Sequence, residues 1–233
     1  MIPIYYINLE RSLKRRKYME KTFPNAERVE AYDGIKIHTY KNIQYQKNTK
    51  QSNNELACSL SHIKAIVQAY KDGHDKAIIL EDDIENIIPL DIIEKNIINC
   101  PKDAECIQLY SNNTQEVRRM TLLKNNYEKW NPKKWSTGAY CIFRKGMEKI
   151  IEKFYKNNII NINIKLDNYV ADNCILYGNM ITYSYTKPLF INKLFDSDIE
   201  YKNSKIRNNL IKNKLLEVNI HNFIKKYMSE KNV

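Results

Sequence analysis

The spacing of apolar and polar residues predicts a strand followed by a helix at the start of the chain. Residues 3–7 form a β-branched and aromatic run that is typical of a buried strand. Residues 13–23 then carry apolar side chains at helical spacing within a charged background. A second short strand is predicted at residues 28–31, and the Asp33-Gly34 dipeptide predicts a turn after it. Residues 35–54 are mostly polar, so we expect a surface loop there.

The clearest helical pattern follows this polar segment. Asn54 is the predicted N-cap, and Glu55 lies in the first turn, where a carboxylate is favoured by the helix dipole. Asp72-Gly73 is predicted to end the helix. Its apolar stripe consists of Leu56, Leu60, Ile63, Val67 and Tyr70. Residues 76–80 then form an apolar run of strand length, which ends directly in the acidic triplet at residues 81–83.

The second half of the chain continues to alternate between the two patterns, with a long polar connection at residues 111–134. Strands are predicted at residues 105–110, 139–143, 180–185 and 189–191, and helices at 90–99, around 147–154 and at 168–175. This alternation predicts an α/β fold with a mainly parallel sheet and right-handed crossovers. We expect one domain over residues 1–200 and a helical extension at residues 201–233 that packs on it.

Composition restricts the class of protein. The 233 residues are 43% hydrophobic and 28% charged, which is typical of a folded domain with a sizeable core. The net charge of +11 favours an anionic partner, namely a nucleotide, a nucleic acid or an acidic membrane surface. The five scattered cysteines indicate buried, reduced thiols. Because no segment approaches the roughly 20 apolar residues that span a bilayer, we expect a soluble, cytoplasmic protein or one attached peripherally to a membrane.

The acidic triplet of Glu81, Asp82 and Asp83 is the most informative candidate site. Ligands of open α/β sheets bind beyond the carboxyl ends of the strands, where this triplet is expected to face the solvent. Carboxylates at positions i and i+2 of an extended segment can hold a hard divalent cation against a diphosphate. The alternative interpretation is a solvated acidic turn without a ligand.

Three other segments carry residues that are capable of chemistry. Cys58 and His62 are four residues apart, so they share one face of the predicted helix, although one helix cannot complete a site alone. Arg11 follows the first strand and could face a phosphate there, or it could lie on a solvated helix face. The segment at residues 135–140 combines Trp135 with a glycine, which suits either a sugar platform or an ordinary loop. The chain has no Walker A loop, no GxGxxG and no GxSxG elbow, which disfavours P-loop, dinucleotide-binding and hydrolase folds.

Several segments together, in this order, resemble glycosyltransferase family 25, which includes bacterial lipooligosaccharide galactosyltransferases and collagen hydroxylysine galactosyltransferases. The resemblance covers roughly residues 3–200, and the ordered combination is more specific than any single motif. The matching segments are residues 4–12 with Arg15-Arg16, then 29–34, 55–62, 78–84, 137–140, 188–189 and 197–199.

The resemblance implies a GT-A type (Rossmann-like) fold, a UDP-sugar donor and a bound Mn²⁺ or Mg²⁺. Glu81 and Asp83 correspond to the DxD-like metal-binding pair, although Glu81 replaces the leading aspartate. The residues implied around the donor are Asn8, Arg11, Asp33, Ser61, His62, Gly138 and Tyr140.

The implied reaction is an inverting hexosyl transfer, of galactose or glucose, to a hydroxyl of a glycan or of a collagen-like or otherwise glycosylated protein. A carboxylate deprotonates the acceptor hydroxyl as it attacks the anomeric carbon. Asp167 is the first candidate for this base, and Asp198 and Asp172 are the alternatives. The sequence leaves the sugar, the acceptor and the oligomeric state open.

Two other functions remain as alternatives at this point. One is a basic module that binds nucleic acid or an acidic surface without catalysis, although we expect no specific nucleic-acid partner. The other is a metal-dependent nucleotidyltransferase, which would release pyrophosphate instead of a nucleoside diphosphate.

Overall fold

The computed structural model describes residues 1–45, 52–162 and 177–193. Its helices are α1 (Leu13–Thr22), α2 (Asn53–Lys71), α3 (Leu90–Ile98), α4 (Thr114–Thr121) and α5 (Arg144–Phe154), with 3-10 turns at Gly34–Thr39 and Tyr177–Asn179. Its strands are β1 (Ile4–Asn8), β2 (Glu27–Glu30), β3 (Ile43–Tyr45), β4 (Lys76–Glu81), β5 (Ile84–Asn86), β6 (Cys106–Gln108), β7 (Tyr127–Lys129), β8 (Ala139–Phe143), β9 (Tyr155–Lys156), β10 (Ile159–Ile162), β11 (Thr182–Tyr185) and β12 (Phe190–Asn192).

A seven-stranded sheet in the order β2-β1-β4-β8-β6-β11-β7 forms the centre of the molecule. Strands β2, β1, β4, β6 and β11 run in one direction, and β8 and β7 run in the other. The predicted α/β fold with a mainly parallel sheet is therefore confirmed. Strand β8 lies between β4 and β6, so the start of this strand lies beside the end of β4.

The central strands are buried on both faces, which explains why their sequences are continuous apolar runs. In β1, Tyr5 and Ile7 face the core beside α2, whereas Ile4 and Tyr6 face the core on the opposite side of the sheet. Strand β4 alternates in the same way. Because apolar side chains fill both faces, polar side chains of these strands are concentrated where the strands end.

The N-cap of helix α2 lies two residues before the N-cap that the sequence predicts. The N-cap is Ser52, and its hydroxyl accepts a hydrogen bond from the Glu55 amide at 3.1 Å while the Glu55 carboxylate accepts one from the Ser52 amide at 2.6 Å. This reciprocal capping box satisfies two amides, so it replaces Asn54 as the start of the helix. The end at Asp72 agrees with the prediction, and Gly73 there has a φ of +80°, which glycine adopts readily.

Two segments that the sequence predicts to be loops contain regular structure. The segment after Asp33 forms the Gly34–Thr39 turn and β3, and it buries Ile37 and Ile43. Residues 111–134 contain α4, which Asn113 caps, and β7. Both predictions of an irregular loop are wrong because elements of three to eight residues bury too few apolar positions to produce a clear period.

Other predictions lie outside the described residues, namely the helix at 168–175 and the extension at 201–233. Within the part of the chain that is described, no helix is both long and apolar enough to cross a membrane. Cys58, Cys100, Cys106 and Cys141 form no disulfide. Cys106 and Cys141 are fully buried, and burial raises the pKa of both thiols.

The capping box predicts a measurable stability change. Ser52→Ala removes the acceptor for the Glu55 amide, so we expect the free energy of unfolding to fall by about 1 kcal/mol. Ser52→Asp retains an acceptor at the same position and should stay within a few tenths of a kcal/mol of the wild type. Urea unfolding followed by circular dichroism gives both values, and equal losses in the two variants would contradict the assignment.

Candidate active site

Polar side chains converge where the neighbouring parallel strands β2, β1 and β4 end. Asn8 is the last residue of β1, Asp33 follows β2, and the acidic triplet follows β4. The antiparallel β8 brings its first residues to the same edge, because the Glu81 amide donates to the Gly138 carbonyl at 2.8 Å. The topology thus gathers into one place residues that are up to about 130 positions apart in the sequence.

Asn8 is almost completely buried, and its side-chain amide joins three elements. Its Nδ2 donates to Asp82 Oδ2 at 2.7 Å and to the Ser12 carbonyl at 3.2 Å. Its Oδ1 accepts from Arg16 Nε at 3.3 Å and from Arg28 Nε at 3.1 Å. The structure therefore gives Asn8 a positioning role for Asp82, and its contact with a nucleotide stays a prediction.

Arg11 and Asp33 form an ion pair across the end of the sheet. The second oxygen of Asp33 accepts from the Ile35 amide at 2.9 Å, which fixes the turn after β2. The Ser61 hydroxyl accepts from the Tyr32 amide at 2.8 Å and donates to the Ala57 carbonyl at 2.6 Å. Ser61 is thus a buried link between α2 and the segment that carries Asp33.

Glu81 and His62 meet at the interface between β4 and α2. Glu81 Oε1 lies 3.4 Å from His62 Nε2 and accepts a hydrogen bond from the Thr137 hydroxyl at 2.9 Å. The other ring nitrogen, Nδ1, lies 3.1 Å from the Tyr140 hydroxyl. Burial by itself raises the pKa of Glu81, but the neighbouring His62 ring and the Thr137 hydroxyl outweigh it and lower the pKa below its usual value.

Asp82 and Asp83 share one cation, the Arg15 guanidinium. Arg15 Nη1 lies 2.8 Å from Asp82 Oδ1 and 3.3 Å from Asp83 Oδ2. Burial raises the pKa of Asp83 to about 7, with a further increase from the Glu81 charge and an opposing effect of Arg15. Burial also raises the pKa of Asp82, against the effect of Arg15. The expectation that Asp83 faces the solvent is wrong, because its side chain is only 16% exposed.

The donor set at the end of β4 suits a hard divalent cation. Asp83 Oδ1 is buried and makes no hydrogen bond within the described residues, so a carboxylate oxygen lacks a partner there. Burying such an oxygen is costly unless a cation or a proton satisfies it. Carboxylates are the preferred ligands of Mn²⁺ and Mg²⁺. Glu81 and Asp83 therefore fit the role that the family resemblance implies for them.

Gly138 directly precedes β8 and Tyr140 is the second residue of that strand, and both are buried. A Cβ at Gly138 would lie 2.8 Å from Tyr110 Cδ1 and 2.9 Å from Ile84 Cδ1, so only glycine fits without movement of these side chains. The Tyr140 side chain is fully buried under α2 and reaches His62. Tyr140 is thus placed to act through His62, and its predicted position beside the sugar stays a prediction.

Sequence reasoning gave no role to two residues that the structure places in the site. Arg15 was only part of a basic run, and Thr137 was only part of a motif. Their contacts to residues 81–83 span more than fifty positions of sequence, which no local spacing reveals. The candidate bases Asp167, Asp198 and Asp172 lie outside the described residues.

Comparison with known proteins identifies a family for most of the chain. The model described as "Glycosyltransferase family 25 (LPS biosynthesis protein)" matches residues 1–170. No curated protein matches the chain.

Solved structures with detectable similarity share little sequence with the chain. A197 from STIV is 12% identical at a TM-score of 0.38, and the match covers 87% of this chain and 100% of that one. The galactosyltransferase LgtC, in complex with donor and acceptor sugar analogues, is 11% identical at a TM-score of 0.35. That match covers 78% of this chain and 73% of LgtC. A glycosyltransferase involved in glycosylation of the major capsid of PBCV-1 is 12% identical at a TM-score of 0.36. That match covers 79% of this chain and 92% of the glycosyltransferase.

The raised pKa of Asp83 predicts how the stability of the metal-free protein depends on pH. Its folded-state pKa of about 7 lies above the usual 3.8, so the folded state binds the extra proton between these values. The stability from this proton is present at low pH and is lost as the pH rises from about 4 to about 7.

Asp83→Asn removes this titration and should therefore gain stability relative to the wild type as the pH rises. We expect the difference in Tm, variant minus wild type, to be larger at pH 8 than at pH 5 by about 2 °C or more, measured in chelator. The exposed Asp91→Asn serves as the matched control and should show no such change. A difference that is independent of pH would contradict the assignment.

Proposed function

Because the chain belongs to glycosyltransferase family 25, whose model spans more than half of its length, we propose that this glycosyltransferase transfers a hexose from a UDP-sugar to a hydroxyl of a glycan or glycoprotein. The hexose is galactose or glucose. The observation that carries the proposal is the carboxylate pair of Glu81 and Asp83 at the end of β4, with a buried oxygen of Asp83 that lacks a partner among the described residues.

Glu81 and Asp83 would hold Mn²⁺ or Mg²⁺, and the bound cation would supply neutralisation of charge on the departing diphosphate. Without a cation, the carboxylates of residues 81–83 would repel a diphosphate. Asn8 and Arg15 hold Asp82, which fixes the direction of the chain between the two metal-binding residues. Thr137 holds one oxygen of Glu81.

The donor nucleotide is proposed to bind across the ends of β1 and β2. Arg11 is 40% exposed, so its guanidinium can meet an anionic or polar ligand group while Asp33 orients it. The turn after β2 is fixed by Asp33 and by Ser61, which gives a rigid border for the nucleobase or ribose. Rigid polar groups of this kind lower the entropic cost of binding.

We propose an inverting displacement in which a carboxylate accepts the proton of the attacking hydroxyl. Asp167 is the first candidate for this base and Asp198 the second. Single displacement requires the base and the departing diphosphate to lie on opposite sides of the sugar. The carboxylates of residues 81–83 lie on the diphosphate side, so the base must come from another segment.

The charge distribution argues against the nucleic-acid alternative. Arg16 and Arg28 both pair with Glu10, at 2.9 and 2.7 Å, and Arg15 pairs with Asp82. Within the described part of the chain, the charges of these three arginines are therefore balanced by carboxylates, which makes them less available to nucleic-acid phosphates. Any residual binding to nucleic acid should be weak and should disappear as salt is added.

The first test measures UDP binding by calorimetry in Mn²⁺ and in excess chelator. We expect binding only with the cation, and a loss of at least about 10-fold in affinity in Asp83→Asn, because the carboxylate that faces the cation becomes neutral. Asp91→Asn is the control and should bind as the wild type does. Equal UDP affinity with and without the metal would overturn the proposed metal-dependent donor site.

The second test identifies the base. Asp167→Asn preserves size and hydrogen bonding but cannot accept a proton, so turnover should fall about 100-fold or more while Mn²⁺-dependent UDP binding is unchanged. A product assay with UDP-galactose and UDP-glucose measures this fall and identifies the transferred sugar. If Asp167→Asn turns over normally and Asp198→Asn does not, Asp198 is the base.

A further inference from the structure

Donor atoms of three different kinds meet between α2 and the end of β4. A sulfur of Cys58, a ring nitrogen of His62 and a carboxylate oxygen of Glu81 all lie within 4.8 Å of one another. Cys58 and His62 are one helical turn apart on the same face of α2, and Glu81 is the last residue of β4. The sheet thus supplies the third ligand that one helix alone cannot provide.

One ring nitrogen of His62 contacts another side chain and the other is left available to a metal, as in metal-binding histidines. Its side chain is 1% exposed, and Nδ1 lies 3.1 Å from the Tyr140 hydroxyl. When Nδ1–H donates to that hydroxyl oxygen, the lone pair of Nε2 points towards other ligands, which is the arrangement in which a second group fixes the tautomer of a ligating histidine. Nε2 makes no hydrogen bond to any residue that the structure describes, although it is fully buried.

His62 Nε2 and Glu81 Oε1 lie 3.4 Å apart, which is long for a hydrogen bond between them. When the proton is on Nε2, the ring favours the Glu81 carboxylate, as the lowered pKa of Glu81 reflects. When the proton is on Nδ1, Nε2 and Glu81 Oε1 are both acceptors, and a cation between them would form a bond to each. Two ligands of a tetrahedral zinc ion, with bonds of about 2.0 to 2.2 Å, lie roughly 3.4 Å apart, so the observed spacing already suits zinc.

We propose that Cys58, His62 and Glu81 bind a Zn²⁺ ion. A thiolate and an imidazole favour zinc over Mn²⁺ or Mg²⁺, which prefer oxygen ligands. The ion forms a bond to the Cys58 sulfur, and the thiol proton is released to the solvent. Three protein ligands leave the fourth tetrahedral position for water.

This site shares Glu81 with the proposed donor site but differs from it in its other ligands. It uses the sulfur and nitrogen of α2, and Asp83 does not belong to it. Glu81 takes part through Oε1, the oxygen that Thr137 also contacts. A zinc ion here would join α2 to β4 and would fix the orientation of the Glu81 carboxylate. The proposal does not depend on the identity of the donor or of the acceptor.

Cobalt substitution provides the test. The full-length protein, stripped of metal with a chelator and then loaded with Co²⁺, should show a thiolate-to-cobalt charge-transfer band in the near ultraviolet. We expect the band to be lost in Cys58→Ser and retained in Cys100→Ser, the matched control, because both thiols are half-buried but only Cys58 belongs to the cluster. Zinc should displace the cobalt and raise the Tm of the wild type and of Cys100→Ser, but raise it much less in Cys58→Ser.

Two results would overturn the zinc site, namely a folded wild-type protein that shows no charge-transfer band, or a band that persists in Cys58→Ser. Asp83→Asn separates this proposal from the previous one. It should keep the cobalt band while it loses Mn²⁺-dependent UDP binding. A protein that keeps the band and binds UDP equally well with and without Mn²⁺ would contradict only the proposed donor site.

Discussion

Glu81, Asp82 and Asp83 follow one another at the carboxyl end of a strand that is buried on both faces, and each buried negative charge is costly unless it is compensated. Most polar contacts of the site meet this requirement. Asn8 and Arg15 satisfy Asp82, Thr137 and His62 accompany Glu81, and Arg15 also reaches one oxygen of Asp83.

Two buried polar atoms of the site remain without such compensation among the described residues. Asp83 Oδ1 and His62 Nε2 are both buried without a hydrogen-bond partner in the described ranges. The neighbours of Asp83 Oδ1 include carboxylates, whereas a sulfur and a carboxylate oxygen lie near His62 Nε2. The donor atoms around the first therefore suit a hard cation, and those around the second suit a softer one.

Sequence patterns were sufficient for the elements that carry the sheet. Strand β8 was predicted with its observed bounds, and the end of α2 and the position of the acidic triplet were correct, because continuous apolar runs and a Gly after a helix are local signals. The family motifs added the residues around the donor as expectations. Short elements such as β3, α4 and β7 were missed because they contribute few buried residues each.

The contacts within the site could not be predicted from local patterns. Ser52 caps α2 through reciprocal hydrogen bonds with Glu55. Several neighbouring residues are polar and could serve as the N-cap, so the sequence alone does not identify which one does. Arg15 and Thr137 act on residues that are distant in sequence, so their roles depend on strand order. The burial of Asp83 likewise results from neighbouring elements and not from its own segment.

The reversed direction of β8 divides the edge of the sheet into two parts of different origin. On one side, the polar residues follow the strands β1, β2 and β4, whereas on the other side they precede β8 and belong to the end of the connection after β6. An insertion or deletion in that connection would therefore change the residues that precede β8 without shifting the register of β1, β2 and β4.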